Sequence, residues 1–453
     1  MAQWNKSNQD YLNQERTLFE VFMCADRYGN IGNCGVSTGA GSGGYDAFGR
    51  SRISEPFTLA DYSHQYGLNP EILTDKVGAA STVEHLRNKA SASLVVGTGN
   101  THYVVHQTRM YHHYMPGKSQ FALSSFNFQG PRENTVKRTG YFDDRNGVFV
   151  QLAGDNTVSI VKRDTVAGVV TDTVVNQSNW NLDKLDGTTQ SGIGLTFTAT
   201  QLFATDFQWL GVGRVRCGFV VGGQLIYCHE FNHSNVEENV YWSHPSLPIR
   251  CEVRNTDTAV GITSMQQICS TVLSEGGYEE SGIEYASSTT SAIVVTGSNS
   301  APDHRKCILA LRLKDTLNNY PNRSTVRLTD LQILSDSASC KWTVYRLPNN
   351  AAVSGGTWQD VGDDSGVEFN VGIATNFSLT DAYSKSSGFI AANNPSGKQA
   401  AGVISLSPSS AKQSYIAQNI DSDDSNIFAV IVENLTANTT TNIHASFQWR
   451  ETR

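Results

Sequence analysis

No stretch of the 453-residue sequence is an unbroken apolar run of the ~20 residues that a helix needs to cross a bilayer. The start, Met1-Ala2-Gln3-Trp4-Asn5-Lys6, also lacks the apolar segment of a secretory signal, so membrane insertion is not expected. Positive charge is short as well. Lys and Arg total 34 against 42 Asp and Glu, a formal net charge of −8, which leaves no cationic surplus to replace phosphate counterions and makes nucleic acid an unexpected partner. Cysteine is sparse: 8 residues, with no CxxC pair, exclude a disulfide-built scaffold and a zinc ribbon and point to free thiols in a reducing compartment. Charged residues of both signs make up only 17%.

What is abundant is glycine, 39 residues, together with Ser, Thr and Asn, and short apolar segments between turn signals. That balance favours strands over helices. The fold class expected is all-β: a jelly-roll β-sandwich followed by a second β-sandwich, with a short N-terminal docking segment. No repeat at solenoid or propeller spacing is present.

Four regions follow from composition. Residues 1–38 combine a polar start with the apolar run Leu18-Phe19-Glu20-Val21-Phe22-Met23 and the turn signal Asp26-Arg27-Tyr28-Gly29-Asn30. Residues 39–60 begin with Gly39-Ala40-Gly41-Ser42-Gly43-Gly44, whose ordering costs too much backbone entropy for an element interior, and read as a linker and lead-in. An apolar strand on a tether cannot bury both its faces alone, so Trp4, Leu18, Phe19 and Phe22 are the candidate docking residues. Residues 61–290 form the expected jelly roll, and 291–453 the C-terminal sandwich, in which the Ser-, Asn- and Asp-rich stretch 350–426 is expected to supply long polar loops.

The clearest element is a hairpin. Val215-Arg216-Cys217-Gly218-Phe219-Val220-Val221 and Gln224-Leu225-Ile226-Tyr227-Cys228-His229-Glu230-Phe231 flank Gly222 and Gly223, which take positive φ in a two-residue turn. Continuous register then sets Cys217 opposite Cys228, as unbridged thiols. Near the end of the sequence, Ile443, Ala445, Phe447 and Trp449 alternate with polar residues and give one buried face.

Motifs that carry chemistry are weak. Pro116-Gly117-Lys118-Ser119 resembles the end of a phosphate-binding loop, but the position that needs the other glycine is His112. In a strand, His102 and His106 stand roughly 13 Å apart, too far for one metal, and adjacent His112 and His113 point to opposite faces. Asp143-Asp144 and Asp421, Asp423 and Asp424 sit in turn-like sequence and read as solvated loop ends, with Ca²⁺ the minority alternative. No Gly-x-Ser-x-Gly elbow and no Glu-x-Asp-x-x-Glu stretch occurs, so no catalytic residue, metal site or cofactor is assigned and the chain is not expected to be an enzyme. Trp180, Trp242 and Trp358 lie in polar contexts and are candidates for stacking on sugar rings.

Several stretches resemble virion structural proteins of tailed phages that infect cyanobacteria and other aquatic bacteria. They are Tyr11-Leu12-Asn13-Gln14-Glu15-Arg16-Thr17-Leu18-Phe19-Glu20-Val21, Tyr45-Asp46-Ala47-Phe48-Gly49-Arg50-Ser51-Arg52-Ile53-Ser54, Pro116-Gly117-Lys118-Ser119-Gln120, Gly140-Tyr141-Phe142-Asp143-Asp144-Arg145-Asn146-Gly147-Val148-Phe149 and the hairpin above. The hairpin also looks like part of a concanavalin-type jelly roll. The resemblance implies a self-associating virion component; free thiols fit assembly in the host cytoplasm, the docking segment makes other virion proteins the expected partners, and the tryptophans make a host surface glycan a further candidate partner. It carries over no site residues. A tail- or neck-associated fibre or adaptor is the first reading; a capsid decoration or cement protein and a polysaccharide depolymerase are the alternatives.

Overall fold

The computed structural model describes residues 56–165, 168–277, 282–297, 304–391 and 415–453, and the backbone alone of 23–25, 31–33, 166 and 402–405. Its regular structure is antiparallel β with three single-turn 3₁₀ segments, among the described residues. Trp4, Leu18, Phe19, Phe22 and the Gly-rich stretch lie outside the described residues. Of the N-terminal region, Met23–Ala25 pairs with Ile31–Asn33 around the turn signal at 26–30.

Two sheets face each other in the first sandwich. One runs Val169–Asn176, Val158–Val166, Gly147–Ala153, Thr135–Phe142, Ile249–Asn255, Tyr103–Thr108, Ile72–Val77. The other runs Gln224–Phe231, Val215–Val221, Gln201–Phe207, Ser119–Asn127, Thr263–Glu275, Ser91–Val96, Thr82–Leu86, with Phe57–Ser63 added on Thr263–Glu275. Strands distant in sequence lie side by side and the chain crosses between sheets, the connectivity of a jelly roll. Alternation decides the faces: Val148, Val150 and Leu152 enter the shared core with Tyr141, Val253, Phe203 and Phe219, while Phe149 and Gln151 face away.

The hairpin turns at Gly222 and Gly223, at φ +59° and +80°. The expected register holds through Phe219 with Ile226 and Gly218 with Tyr227, then shifts, so Cys217 faces His229 rather than Cys228. The cause is a bulge in which Cys228 is the extra residue. A Cβ on Gly218 would sit 2.5 Å from the Ile226 carbonyl oxygen, so only glycine admits this close approach. The extra residue leaves both Cys217 and Cys228 in the core as free thiols, with Cys228 Sγ donating to the Cys217 carbonyl at 3.3 Å.

The second sandwich pairs the sheet Ile283–Ser288, Thr440–Thr452, Thr325–Ser335, Gly402–Ser405 with the sheet Gln359–Asp360, Val367–Asn370, Arg305–Leu313, Ile427–Asn434, Cys340–Leu347, Tyr383–Ile390. Its core includes Leu309, Leu311, Trp342, Phe428, Phe447 and Trp449. Two expectations change. Ile283–Ser288 lies inside the 61–290 range but hydrogen bonds to Thr440–Thr452, because its partner strand offers an open edge there. The 350–426 stretch is not simply loop: Val367–Asn370, flanked by the short strand Gln359–Asp360, and Tyr383–Ile390 extend one sheet on both sides, and the polar composition of Tyr383–Ile390 marks an exposed edge strand.

The sandwiches meet through Ala60, Tyr62, Ile72 and Met110 of the first against Tyr415 and Ala417 of the second. Beside this apolar contact, Arg346 pairs with Glu71 and the Arg323 guanidinium lies 4.6 Å over the Tyr111 ring. Burial alone would raise the Glu71 carboxyl, but the hydrogen bonds and charge of Arg346 hold it below its ordinary value.

Candidate functional site

Where the sandwiches meet, a cavity of about 390 Å³ opens between loops of both. The first sandwich contributes the turn between Thr135–Phe142 and Gly147–Ala153. Asp143 accepts hydrogen bonds from the backbone N–H of Arg145 and Asn146, each 2.8 Å, which locks the turn and carries Arg145 to the cavity. Gly147 closes the turn at φ +128°, and a Cβ there would lie 2.4 Å from Phe142. Asn146 ties in the next loop, donating to Ser243 Oγ at 3.1 Å and accepting the Ser243 backbone N–H at 3.1 Å.

The opposite wall is a miniature hairpin, Thr316–Leu317 with Tyr320–Pro321, turned by Asn318 and Asn319 at φ +52° and +65°. Asn322 anchors it by donating to the Lys314 and Gly366 carbonyls at 3.0 and 2.8 Å. Leu317, Pro321 and the Tyr320 ring, 68% exposed, make that wall apolar. Arg323 and Arg453 bring two further guanidiniums.

Three arginines and one acidic side chain, Asp143, therefore line the cavity in a chain of net charge −8, and of the three Arg453 is already paired with Glu451 at 3.3 Å. Other arginines nearby are matched: Arg163 pairs with Asp172 at 2.8 Å, and Arg250 with Asp144 at 2.8 Å and Glu252 at 2.7 Å. Arg145 has no carboxylate partner among the described residues. Arg323, its side chain 10% exposed, reaches Asp143 only at 3.9 Å, and its Nε has no hydrogen-bond partner among the described residues. His244 adds no charge, since burial pushes its pKa down by more than the hydrogen bond from its Nδ1–H to the Ser246 carbonyl at 2.9 Å pushes it up.

The outward face of the neighbouring sheet is charged but closed. Burial alone would raise the Glu252 carboxyl, yet Arg250, Arg138 and Arg254, at 2.7, 3.0 and 3.2 Å, hold it down to about 2. A carboxylate so paired stays ionised and cannot act as a general acid at neutral pH.

No family model and no curated protein matches the sequence. Among solved structures, a protein of unknown function from Shewanella oneidensis MR-1 is 10% identical, covering 51% of this chain and 92% of its own, with a TM-score of 0.33. An endo-β-1,4-glucuronan lyase from the fungus Trichoderma reesei is 9% identical, over 47% and 89% of the two chains, with a TM-score of 0.28. A legume lectin-like domain from Entamoeba histolytica is 7% identical, over 49% and 97%, with a TM-score of 0.27. Likenesses this distant assign no activity.

Of the residues singled out from sequence, Asp143 lines the cavity, and the tryptophans and histidines described next do not. Trp180 and Trp242 are 3% and 0% exposed, core side chains with no ring face left for a sugar, because polar neighbours in sequence do not prevent an aromatic from packing inward. Trp358 is half-buried and covered by the Arg312 guanidinium at 4.4 Å. The histidines are structural: His106 bonds Thr74 at 2.9 Å, His112 bridges the Leu247 carbonyl and the Tyr62 hydroxyl at 2.9 and 3.1 Å, and the His102 ring fills the space beside Gly78, Gly97 and Gly99. Among the described residues no three His, Cys, Asp or Glu side chains converge as a metal site. Asp143 is buried rather than a solvated loop end, because its oxygens organise the turn. The Asn318-Asn319 turn was a readable hairpin signal that sequence reasoning missed. Nothing in spacing connects Arg145 to Arg323.

Proposed function

We propose that this chain is a non-catalytic structural and attachment component of a tailed-phage particle, tail- or neck-associated, that engages its target at the junction of its two sandwiches. The observation that carries the binding reading is the junction cavity, whose walls come from both sandwiches and present donors without acid–base machinery. Glycan hydrolysis needs two carboxyl groups roughly 5–10 Å apart with distinct protonation states. Here the lining has one, already engaged by two backbone N–H groups. Placement on a particle is supported by the resemblance of the 11–21, 45–54 and 140–149 segments to phage virion proteins.

Two measurements test this reading. Antibody against the full chain, applied to purified particles in the electron microscope, should label the tail or neck; label spread over the head would favour a capsid decoration protein. Full-length protein incubated with host cells and with extracted envelope polysaccharide should be retained without releasing reducing ends. Release above a heat-denatured control would favour the depolymerase alternative and overturn the non-catalytic reading.

A further inference from the structure

We infer that the junction cavity is a subsite for a uronic-acid unit of an acidic polysaccharide, the carboxylate taken by Arg145 and Arg323 and one sugar face by Tyr320. This rests on the binding reading above and names its ligand class. Three properties of the site converge on it.

The first is charge. Arg163 and Arg250 have carboxylate partners at 2.8 Å, whereas Arg145 has none among the described residues and Arg323 reaches one only at 3.9 Å. A guanidinium withdrawn from water with its Nε unpartnered is stabilised by an anion that supplies the missing acceptor. A planar carboxylate meets a guanidinium through two parallel N–H···O bonds, the strongest pairing open to either group.

The second property is shape and polarity. At about 390 Å³ the cavity is near the lower end of the roughly 300–1,000 Å³ common for small-ligand sites, a scale suited to one or two sugar rings. A bare inorganic anion would leave the wall of Leu317, Pro321 and Tyr320 without contact. A pyranose ring presents C–H groups on one face and substituents at its edge, and so matches an apolar wall set against cations.

The third is construction. Arg145 is fixed by the Asp143 turn and Tyr320 by the Asn318-Asn319 hairpin, so the groups on opposite walls stand on short, hydrogen-bonded turns rather than long loops. A site held this way loses little conformational entropy on binding.

The test is calorimetry of the full chain at low salt against tetragalacturonate, tetramannuronate, the carboxyl-reduced form of each, and inorganic phosphate, repeated with Arg145→Ala and Tyr320→Ala. Both side chains are accessible, so both variants should keep the wild-type melting temperature. At least one uronate tetramer is expected to bind about tenfold or more tightly than its reduced form, a difference of ~1.4 kcal/mol. Arg145→Ala should remove that preference, Tyr320→Ala should weaken uronate and reduced forms together, and raising the salt should weaken the uronate selectively. Equal binding of charged and reduced forms, unaffected by Arg145→Ala, would overturn the uronate inference while leaving the binding reading intact. Phosphate competing as well as the tetramers, with Tyr320→Ala silent, would reduce the cavity to a simple anion site and overturn the saccharide. No binding of any tetramer would overturn the inference; the binding reading fails separately, if neither cells nor extracted polysaccharide retain the protein.

Discussion

Arg346 in the second sandwich grips both carboxylate oxygens of Glu71 in the first, Nη1 to Oε2 at 2.9 Å and Nη2 to Oε1 at 2.7 Å. The pair flanks the apolar contact of Ile72 and Met110 with Tyr415 and Ala417, and so fixes how one sandwich meets the other. Arg346→Ala should cost about 1–3 kcal/mol, since it leaves a partly buried carboxylate unpaired. Because the folded carboxyl is held below its ordinary value of 4.5, this stabilisation is present above that pH and fades as the pH falls through the lower folded value. Urea titrations of wild type and variant should therefore converge in acid; a gap independent of pH would show that lost packing, not charge, is responsible.

Lys137 is buried between the sheets and donates to the carbonyls of Phe128, Gly130 and Ser264 at 2.6, 2.8 and 2.7 Å. Lys137→Met keeps the length of the side chain and abandons all these acceptors, which should cost about 2–4 kcal/mol. Chemical denaturation would measure it, and a loss below that range would mean that water replaces the ammonium.

Asp164 behaves oppositely to Glu71. Burial pushes its carboxyl up to about 6 from 3.8, more than Lys162 at 3.2 Å offsets, and its Oδ1 has no hydrogen-bond partner among the described residues. A raised acid binds its proton more tightly in the folded state, so stability falls as pH rises from 3.8 through about 6. Asp164→Asn should thus gain about 1–2 kcal/mol on wild type at neutral pH and little below pH ~4. Melting temperatures across that range would reveal it.

Two glycines of one hairpin should respond differently. Gly223→Ala meets open space and costs only the positive φ, about 1–2 kcal/mol. Gly218→Ala drives a Cβ to 2.5 Å from the Ile226 carbonyl oxygen and must displace backbone, costing about 2–4 kcal/mol. Equal losses would place the bulge elsewhere.

How much of this was legible varies with the range of the interaction. The Gly222-Gly223 turn and its first paired residues follow from adjacent residues, but the bulge at Cys228 does not, because it depends on which side chains the facing sheet can accept. Alternation exposed the buried face of Ile443, Ala445, Phe447 and Trp449. Polar sequence context misplaced Trp180 and Trp242, whose chain neighbours are polar while their spatial neighbours are Phe219 and Phe207. The stretch 350–426 looked like loop because edge strands are polar for the same reason loops are: both face water.

By itself, the sequence determined the class of fold, since Gly, Ser, Thr and Asn between short apolar segments admit strands and tight turns and little else. It also determined the turn at Asp143-Asp144-Arg145-Asn146, where a side chain bonds to N–H groups two and three residues ahead. Only the tertiary structure decided that this turn would face the hairpin of Asn318-Asn319 and that Arg145, Arg323 and Arg453 would share one cavity. Local hydrogen bonds are written in neighbouring residues, whereas the cavity exists because two separately cored sandwiches dock through a few apolar residues and the Arg346–Glu71 ion pair, a contact that no periodicity along the chain encodes.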